Sequence, residues 1–204
     1  LPLQMTRSAR KNPSHARIVI VGGGVVGCSI AYQLTKAGVS DVVLLERGVL
    51  SCGTSWHAAG LIMQLRGSHA TTDVAKYNVE FYPELETDTG MATGFKQNGT
   101  LAVARNTDRV HELKRRASLA KSFGIEAQVL TPAEVKDLYP ALDGDIVHGG
   151  LFITKDGQLN PVDTINALIA GARTRGARVL ENSPVDKLRR LPTGEYRLDT
   201  NNGA

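Results

Sequence analysis

Apolar positions along the 204-residue chain follow two rhythms. Short unbroken β-branched runs mark buried strands, and apolar residues three or four apart mark helices. Ile18-Val19-Ile20-Val21 reads as a buried parallel strand. A helix follows to about Ala37, with Ile30, Leu34 and Ala37 as its apolar stripe and Gly38 just past its end. Val42-Val43-Leu44-Leu45 is the second strand. Further on, Val74, Tyr77, Phe81 and Leu85 predict a helix over about 72–89, which Pro83 should kink or divide. Phe95 to Ala104 reads as a strand or hairpin arm.

A helix over about 108–122 is predicted from Val110, Leu113, Ala117 and Ala120, capped by Asn106 or Thr107. Lys114-Arg115-Arg116 on it reads as a solvated face. Thr131-Pro132-Ala133-Glu134 is a capping box with proline in the first helical position, and Tyr139-Pro140 ends that helix. Gly149 to Ile153 is a strand, Asp156-Gly157 a turn, and Asn160-Pro161-Val162-Asp163 opens a helix to about Arg175. Val179 to Asn182 is expected as the next parallel strand, and Tyr196-Arg197-Leu198 as a meander arm after a turn at Pro192-Thr193-Gly194. No internal repeat or low-complexity block interrupts this order.

The chemistry sits between the first two strands. Gly22-x-Gly24-x-x-Gly27 leaves the first strand and enters the helix, with Val26 in the helix's first turn. Gly22 suits a tight turn, Gly24 lets backbone approach a pyrophosphate, and Gly27 lets the helix pack closely on the sheet. The helix N-terminus offers free N–H groups and partial positive charge to phosphates. Glu46 ends the second strand 22 positions past Gly24. An acidic residue roughly 20 positions on accepts hydrogen bonds from a ribose hydroxyl. Strand, glycines, helix and acid together predict a dinucleotide site, with FAD and NAD both open.

The segment after Glu46 decides between them by resemblance. Glu46-Arg47 followed by Ser51-Cys52-Gly53-Thr54-Ser55-Trp56-His57-Ala58-Ala59-Gly60-Leu61 resembles the sarcosine and dimethylglycine dehydrogenase family. Lys96-Gln97-Asn98-Gly99, Leu138-Tyr139-Pro140 and Glu181-Asn182-Ser183-Pro184-Val185 extend the resemblance over nearly everything from Arg17 onward. It implies an α/β fold: a Rossmann-like FAD-binding domain with part of an α+β substrate domain, D-amino-acid-oxidase-like and truncated. The domain divisions expected are a tail or targeting remnant over 1–16, FAD-binding domain over 17–75, substrate domain over 76–150 and FAD-binding domain again over 151–204. The implied cofactor contacts are Gly22, Gly24, Val26, Gly27, Glu46, Arg47, Thr54, Ser55, Trp56, His57, Leu61 and Val185, the last at the adenine end. In members with a Trp-His-Ala-Ala-Gly-Leu motif the histidine is tethered to the flavin 8α carbon, which here would be His57.

The implied reaction oxidises a secondary or tertiary N-methyl amino acid, with formaldehyde released or the one-carbon unit captured by tetrahydrofolate in a further domain. An electron acceptor must reoxidise the flavin, and its identity is not legible. Family members run well beyond the closing Asn201-Asn202-Gly203-Ala204, so the chain is expected to be an amino-terminal fragment, inactive alone. Three rivals remain: a non-catalytic relative of the pyruvate dehydrogenase phosphatase regulatory type, an amino-acid oxidase with noncovalent FAD, and a plain NAD-binding protein.

Charge and cysteine content change the picture little. The formal net charge of +4 comes from Arg7, Arg10, Lys11 and Arg17, and the rest balances at 20 basic against 20 acidic residues. A basic tail is not a nucleic-acid face. The tail reads either as the end of a mitochondrial transit peptide or as residue before a bacterial start at Met5, so a mitochondrial matrix or bacterial cytoplasm is expected for a soluble protein. No stretch approaches a membrane span. Cys28 reads as core filler, and Cys52 lies near the expected cofactor. Tyr77, Tyr82, His69, His111 and His148 titrate but read as structural or surface groups, and no metal site is expected.

Overall fold

The computed structural model describes residues 13–142 and 146–201; most of the basic tail and the closing Asn202-Gly203-Ala204 lie outside them. Two compact units divide the chain, one from residues 1–58 and 161–204, the other Ala59–Asn160. They part after Ala58 and Asn160, whereas the resemblance implied domain divisions at 75 and 150. The first unit opens with β1 (Ile18–Val21), α1 (Val25–Lys36) and β2 (Val42–Leu45). The two strands pair in parallel, Ile18 beside Val42 and Val21 beside Leu45. All four residues of β2 are buried, as a β-branched run between two strands requires. β1 is less covered than expected: Val21 is 59% exposed.

α1 buries a different face from the one its large apolar residues suggest. Cys28, Ala31, Tyr32 and Thr35 point inward, whereas Ile30 is 45% exposed. The polar Thr35 is tolerated because its hydroxyl donates to the carbonyls of Ala31 and Tyr32. The helix closes at Ala37, and Gly38 takes φ +81°.

The second unit begins with β3 (Leu61–Ile62) and α2 (His69–Thr89). Pro83 neither divides α2 nor ends it. A proline removes one intrahelical bond, and burial of Phe81 and Leu85 on either side of it holds the run together. Val74 and Tyr77, expected inside, are 67% and 50% exposed, and Thr72 and Ala75 are buried instead. β4 (Thr100–Ala104), α3 (Thr107–Ser122), β5 (Ala127–Leu130), α4 (Pro132–Leu138) and β6 (Gly149–Ile153) follow. β6 lies between β4 and β5 and is antiparallel to both. Leu113 and Ala120 of α3 pack onto this sheet, the former with Ala104 and Leu151. Both predicted caps are present: Asn106 Oδ1 accepts from Arg109 N at 2.8 Å, and Thr131 and Glu134 form the reciprocal box. β7 (Gly157–Gln158) pairs antiparallel with β3.

The chain then returns to the first unit through α5 (Pro161–Thr174), β8 (Arg178–Leu180), β9 (Val185–Arg190) and β10 (Tyr196–Thr200). β8 joins β2 in parallel, as the pattern predicted, giving the order β1-β2-β8. α1 and α5 pack together, and α5 buries Ala167, Gly171 and Ala172 among its inward residues, small enough for close approach. β9 and β10 form a hairpin whose turn holds Gly194 at φ +88°. Val19, Val21, Val43 and Leu45 of the sheet and Leu188, Tyr196 and Leu198 of the hairpin line a cleft of about 970 Å³.

Candidate functional site

The glycine turn is built around two close approaches. Gly22 takes φ +111°, a region that L side chains avoid, and its N–H returns to the Leu45 carbonyl at 2.8 Å. This ties the exit of β1 to the exit of β2. A Cβ at Gly27 would overlap the Gly22 carbonyl oxygen, so only glycine lets α1 start this close to the turn. Gly23, given no role from the sequence, is crowded too, by side chains rather than backbone. A Cβ there would stand 2.9 Å from Glu46 Cβ and 2.7 Å from Leu50 Cδ2. Its signal was the unbroken run Gly22-Gly23-Gly24.

Glu46 is 7% exposed and braces the turn. Oε2 accepts from Gly23 N at 2.6 Å and Oε1 from Gly48 N at 2.8 Å. The Cys52 thiol lies 3.5 Å from Oε1. Burial pushes the carboxyl upward, but the Gly48 and Gly23 N–H groups, the Cys52 thiol and the Arg47 charge outweigh it, and the group sits below the usual glutamate range. A carboxylate oxygen has two lone pairs, so Oε2, with Gly23 N–H as its donor, retains capacity for a further one, whereas Oε1 already takes two.

Gly24 caps α1 without a side-chain bond, and the first turn carries no acid. Thr54, Ser55, Trp56 and His57 form one turn of 3₁₀ helix. Ser55 Oγ accepts from Val25 N at 3.0 Å, fixing that turn to the start of α1. A Cβ at Gly24 would meet only Ser55 Oγ, at 3.3 Å. The Trp56 and His57 rings lie 4.2 Å apart, tilted by 40°. Trp56 is 58% exposed and Val26 69% exposed. With Val25 N–H taken by Ser55 and no cap from Gly24, the helix start beside a buried acid fits the pyrophosphate and ribose of a dinucleotide.

Hydrogen bonds thus bring the glycine turn, Glu46 and Ser55 together. Arg47 follows Glu46 on the surface, and Val185 opens β9 opposite Thr200. Leu61 belongs to the second unit, on β3. His69 pairs with Asp73 at 2.8 Å, and burial raises Tyr82 beside Phe95. Burial, followed by the Glu46 charge, pushes the Cys28 thiol up to about 12, against a lowering by Arg173, so it is inert filler.

Residues 17–204 match the family described as FAD dependent oxidoreductase, DAO. The chain belongs to that family. It is 44% identical over 182 residues to mitochondrial sarcosine dehydrogenase of Homo sapiens, covering 89% of the chain and 20% of that protein. It is 42% identical over 178 residues to 4-methylaminobutanoate oxidase (formaldehyde-forming) of Paenarthrobacter nicotinovorans, covering 87% and 22%. Among solved structures, the L-proline dehydrogenase of P. horikoshii superposes with a TM-score of 0.87 at 29% identity, covering 94% of this chain and 50% of that one. The fold is therefore the D-amino-acid-oxidase-like α/β arrangement. The chain spans about a fifth of the curated relatives' length. Among the described residues, no helix is long and apolar enough to cross a membrane.

Proposed function

We propose that the protein oxidises an N-methylated amino acid such as sarcosine or dimethylglycine, using FAD tethered through His57. The observation that carries this reading is the Trp56–His57 pair. It sits on a turn that Ser55 pins to the start of α1, with both rings open to a ligand. The similarity to sarcosine dehydrogenase and 4-methylaminobutanoate oxidase supports the substrate class.

In this reading the first-turn N–H groups around Gly24, Val26 and Gly27 face the pyrophosphate, with Gly22 shaping the turn. Glu46 receives the ribose, Arg47 flanks it, and Val185 meets the adenine through its backbone. Thr54 and Ser55 frame the flavin side, and a ring nitrogen of His57 holds the 8α carbon. When bound, the flavin supplies the two-electron acceptor for the N-methyl C–H bond. The oxidised substrate then yields formaldehyde or passes its carbon to tetrahydrofolate, and a separate acceptor takes the electrons. The second unit, Ala59–Asn160, which holds the expected span 76–150, forms part of the substrate domain, and the first unit belongs to the FAD domain. A mitochondrial matrix or a bacterial cytoplasm suits this chemistry.

The test is acid precipitation of the full-length flavoprotein. Yellow colour should stay with the pellet, and a flavinylated peptide should contain His57. His57→Ala should release free FAD on denaturation. Complete loss of colour from wild-type protein would remove the tether and leave an oxidase with noncovalent FAD.

A further inference from the structure

We infer that Glu181 is a positioning residue for the adenosine half of the cofactor, acting as a latch on the loop that carries Glu46. The inference rests on the proposed FAD site. Residues 47–53 form an irregular loop between β2 and the turn bearing Trp56 and His57. That loop supplies Gly48 N–H to Glu46, and Ser51 N–H reaches back to the Gly23 carbonyl at 3.0 Å. Its conformation therefore sets both the carboxylate and the glycine turn. Ser51 adopts φ +66°, a region a non-glycine residue holds only when its surroundings impose it.

The imposition comes from the exit of β8, far along the chain. Glu181 Oε1 accepts from Leu50 N at 2.8 Å, across 131 positions of sequence. Asn182 N donates to the Gly48 carbonyl at 2.8 Å, and Ser183 N to the Glu46 carbonyl at 2.8 Å. Asn182 itself takes φ +55° to aim these groups. Three bonds thus close the loop against β8, and only one comes from a side chain. An anionic acceptor on a backbone N–H is the stronger kind of hydrogen bond. Removing it frees Leu50 N–H and loosens the segment between Gly48 and Ser51, whose two N–H contacts hold the ribose-side geometry.

Glu181→Met and Glu181→Gln keep the side-chain length and differ in whether an acceptor remains, so their comparison isolates the bond. The measurement is the dissociation constant of ADP, titrated calorimetrically into full-length protein freed of FAD in a His57→Ala background, which serves as wild type for the comparison, with Glu46→Ala alongside. Glu181→Met should bind ADP about tenfold more weakly, equivalent to about 1.4 kcal/mol. Glu181→Gln should return most of that loss, a rescue that simple loss of bulk would not give. If Glu46→Ala weakens ADP and Glu181→Met binds it like wild type, the latch is overturned and the FAD site stands. Equal weakening by Met and Gln likewise overturns the hydrogen-bond latch. If Glu46→Ala itself leaves ADP affinity unchanged, the ribose assignment fails and the latch falls with it.

Discussion

Replacing Gly27 by alanine separates two opposite expectations. In an exposed helix interior, glycine to alanine stabilises by about 1 kcal/mol, because alanine is the better helix former. Gly27 is the third residue of α1, and its φ is not in the left-handed region. Backbone propensity alone therefore predicts a more stable protein. The structure predicts the reverse. The added Cβ would overlap the Gly22 carbonyl oxygen, lie 3.2 Å from the Gly22 carbonyl carbon and stand 3.3 Å from Ile20 Cγ2. Two of these three neighbours are backbone, so no rotamer change relieves the clash. Either α1 moves away from the turn, or Gly22 gives up its bond to Leu45.

Overpacking of this kind costs about 1–3 kcal/mol, more than the propensity gain returns. Because the overlapped atoms are backbone, the upper part of that range applies, about 2–3 kcal/mol, and a net loss of roughly 1–2 kcal/mol is expected after the propensity gain. Urea unfolding of the full-length apoprotein, compared with wild type at unchanged m-value, reads that quantity. FAD loading should fall as well, since the displaced element carries the phosphate-facing N–H groups. A Gly27→Ala protein as stable as wild type, or more so, would refute the close-packing account of this glycine.

The Glu46 carboxyl sits below its usual range, so its contribution to stability is present above the unfolded-state value and disappears as pH falls through the folded one. Glu46→Gln should therefore destabilise apoprotein at pH 6, and the gap to wild type should close as pH drops below about 4, near the ordinary glutamate range; a pH-independent gap in urea titrations would contradict it. Asn106→Ala removes the acceptor of Arg109 N and should cost about 1 kcal/mol of stability, with Asn106→Ser or Asn106→Asp largely tolerated. Equal loss in all three would show that the cap is not the source.

What the sequence revealed, and what it hid, follows the range of the forces involved. β1, β2 and β6 were legible to the residue because each is a short run of apolar or small residues bounded by turn formers. The caps at Asn106 and Thr131 were legible because their partners lie three residues away. The buried faces of α1 and α2 were not. Ile30, Val74 and Tyr77 are apolar but exposed, while Thr35 and Thr72 are polar but buried. α1 packs against α5, a long-range fact, and the face it buries there combines the small Cys28 and Ala31 with Tyr32 and Thr35. β5 passed unnoticed because Ala127 to Leu130 alternates weakly and gains its strand form from pairing with β6. The glycine turn and Glu46 were found from spacing. Gly23 and Glu181 were not, since their partners stand 23 and 131 positions away.

The position of Glu46 limits what its own substitution can establish. In many sites an acid that binds a ligand is free until the ligand arrives. Here the carboxylate already accepts from Gly23 and Gly48, one donor on each side of it in the fold. The group is thus structural and ligand-facing at once. That arrangement is preorganised: the loop does not have to be ordered when the dinucleotide binds, which lowers the entropic cost of binding. It also means that Glu46→Ala removes a ligand contact and two braces together, so its effect on ADP overstates the ribose contact. The Glu181 side chain bonds the loop at Leu50 N and carries neither the ribose contact nor the Gly23 and Gly48 braces. The difference between the two variants is therefore the joint share of the ribose contact and those two braces. A Glu181→Met loss equal to the whole Glu46→Ala loss would assign the effect to loop order, and a much smaller one would assign it to that joint share.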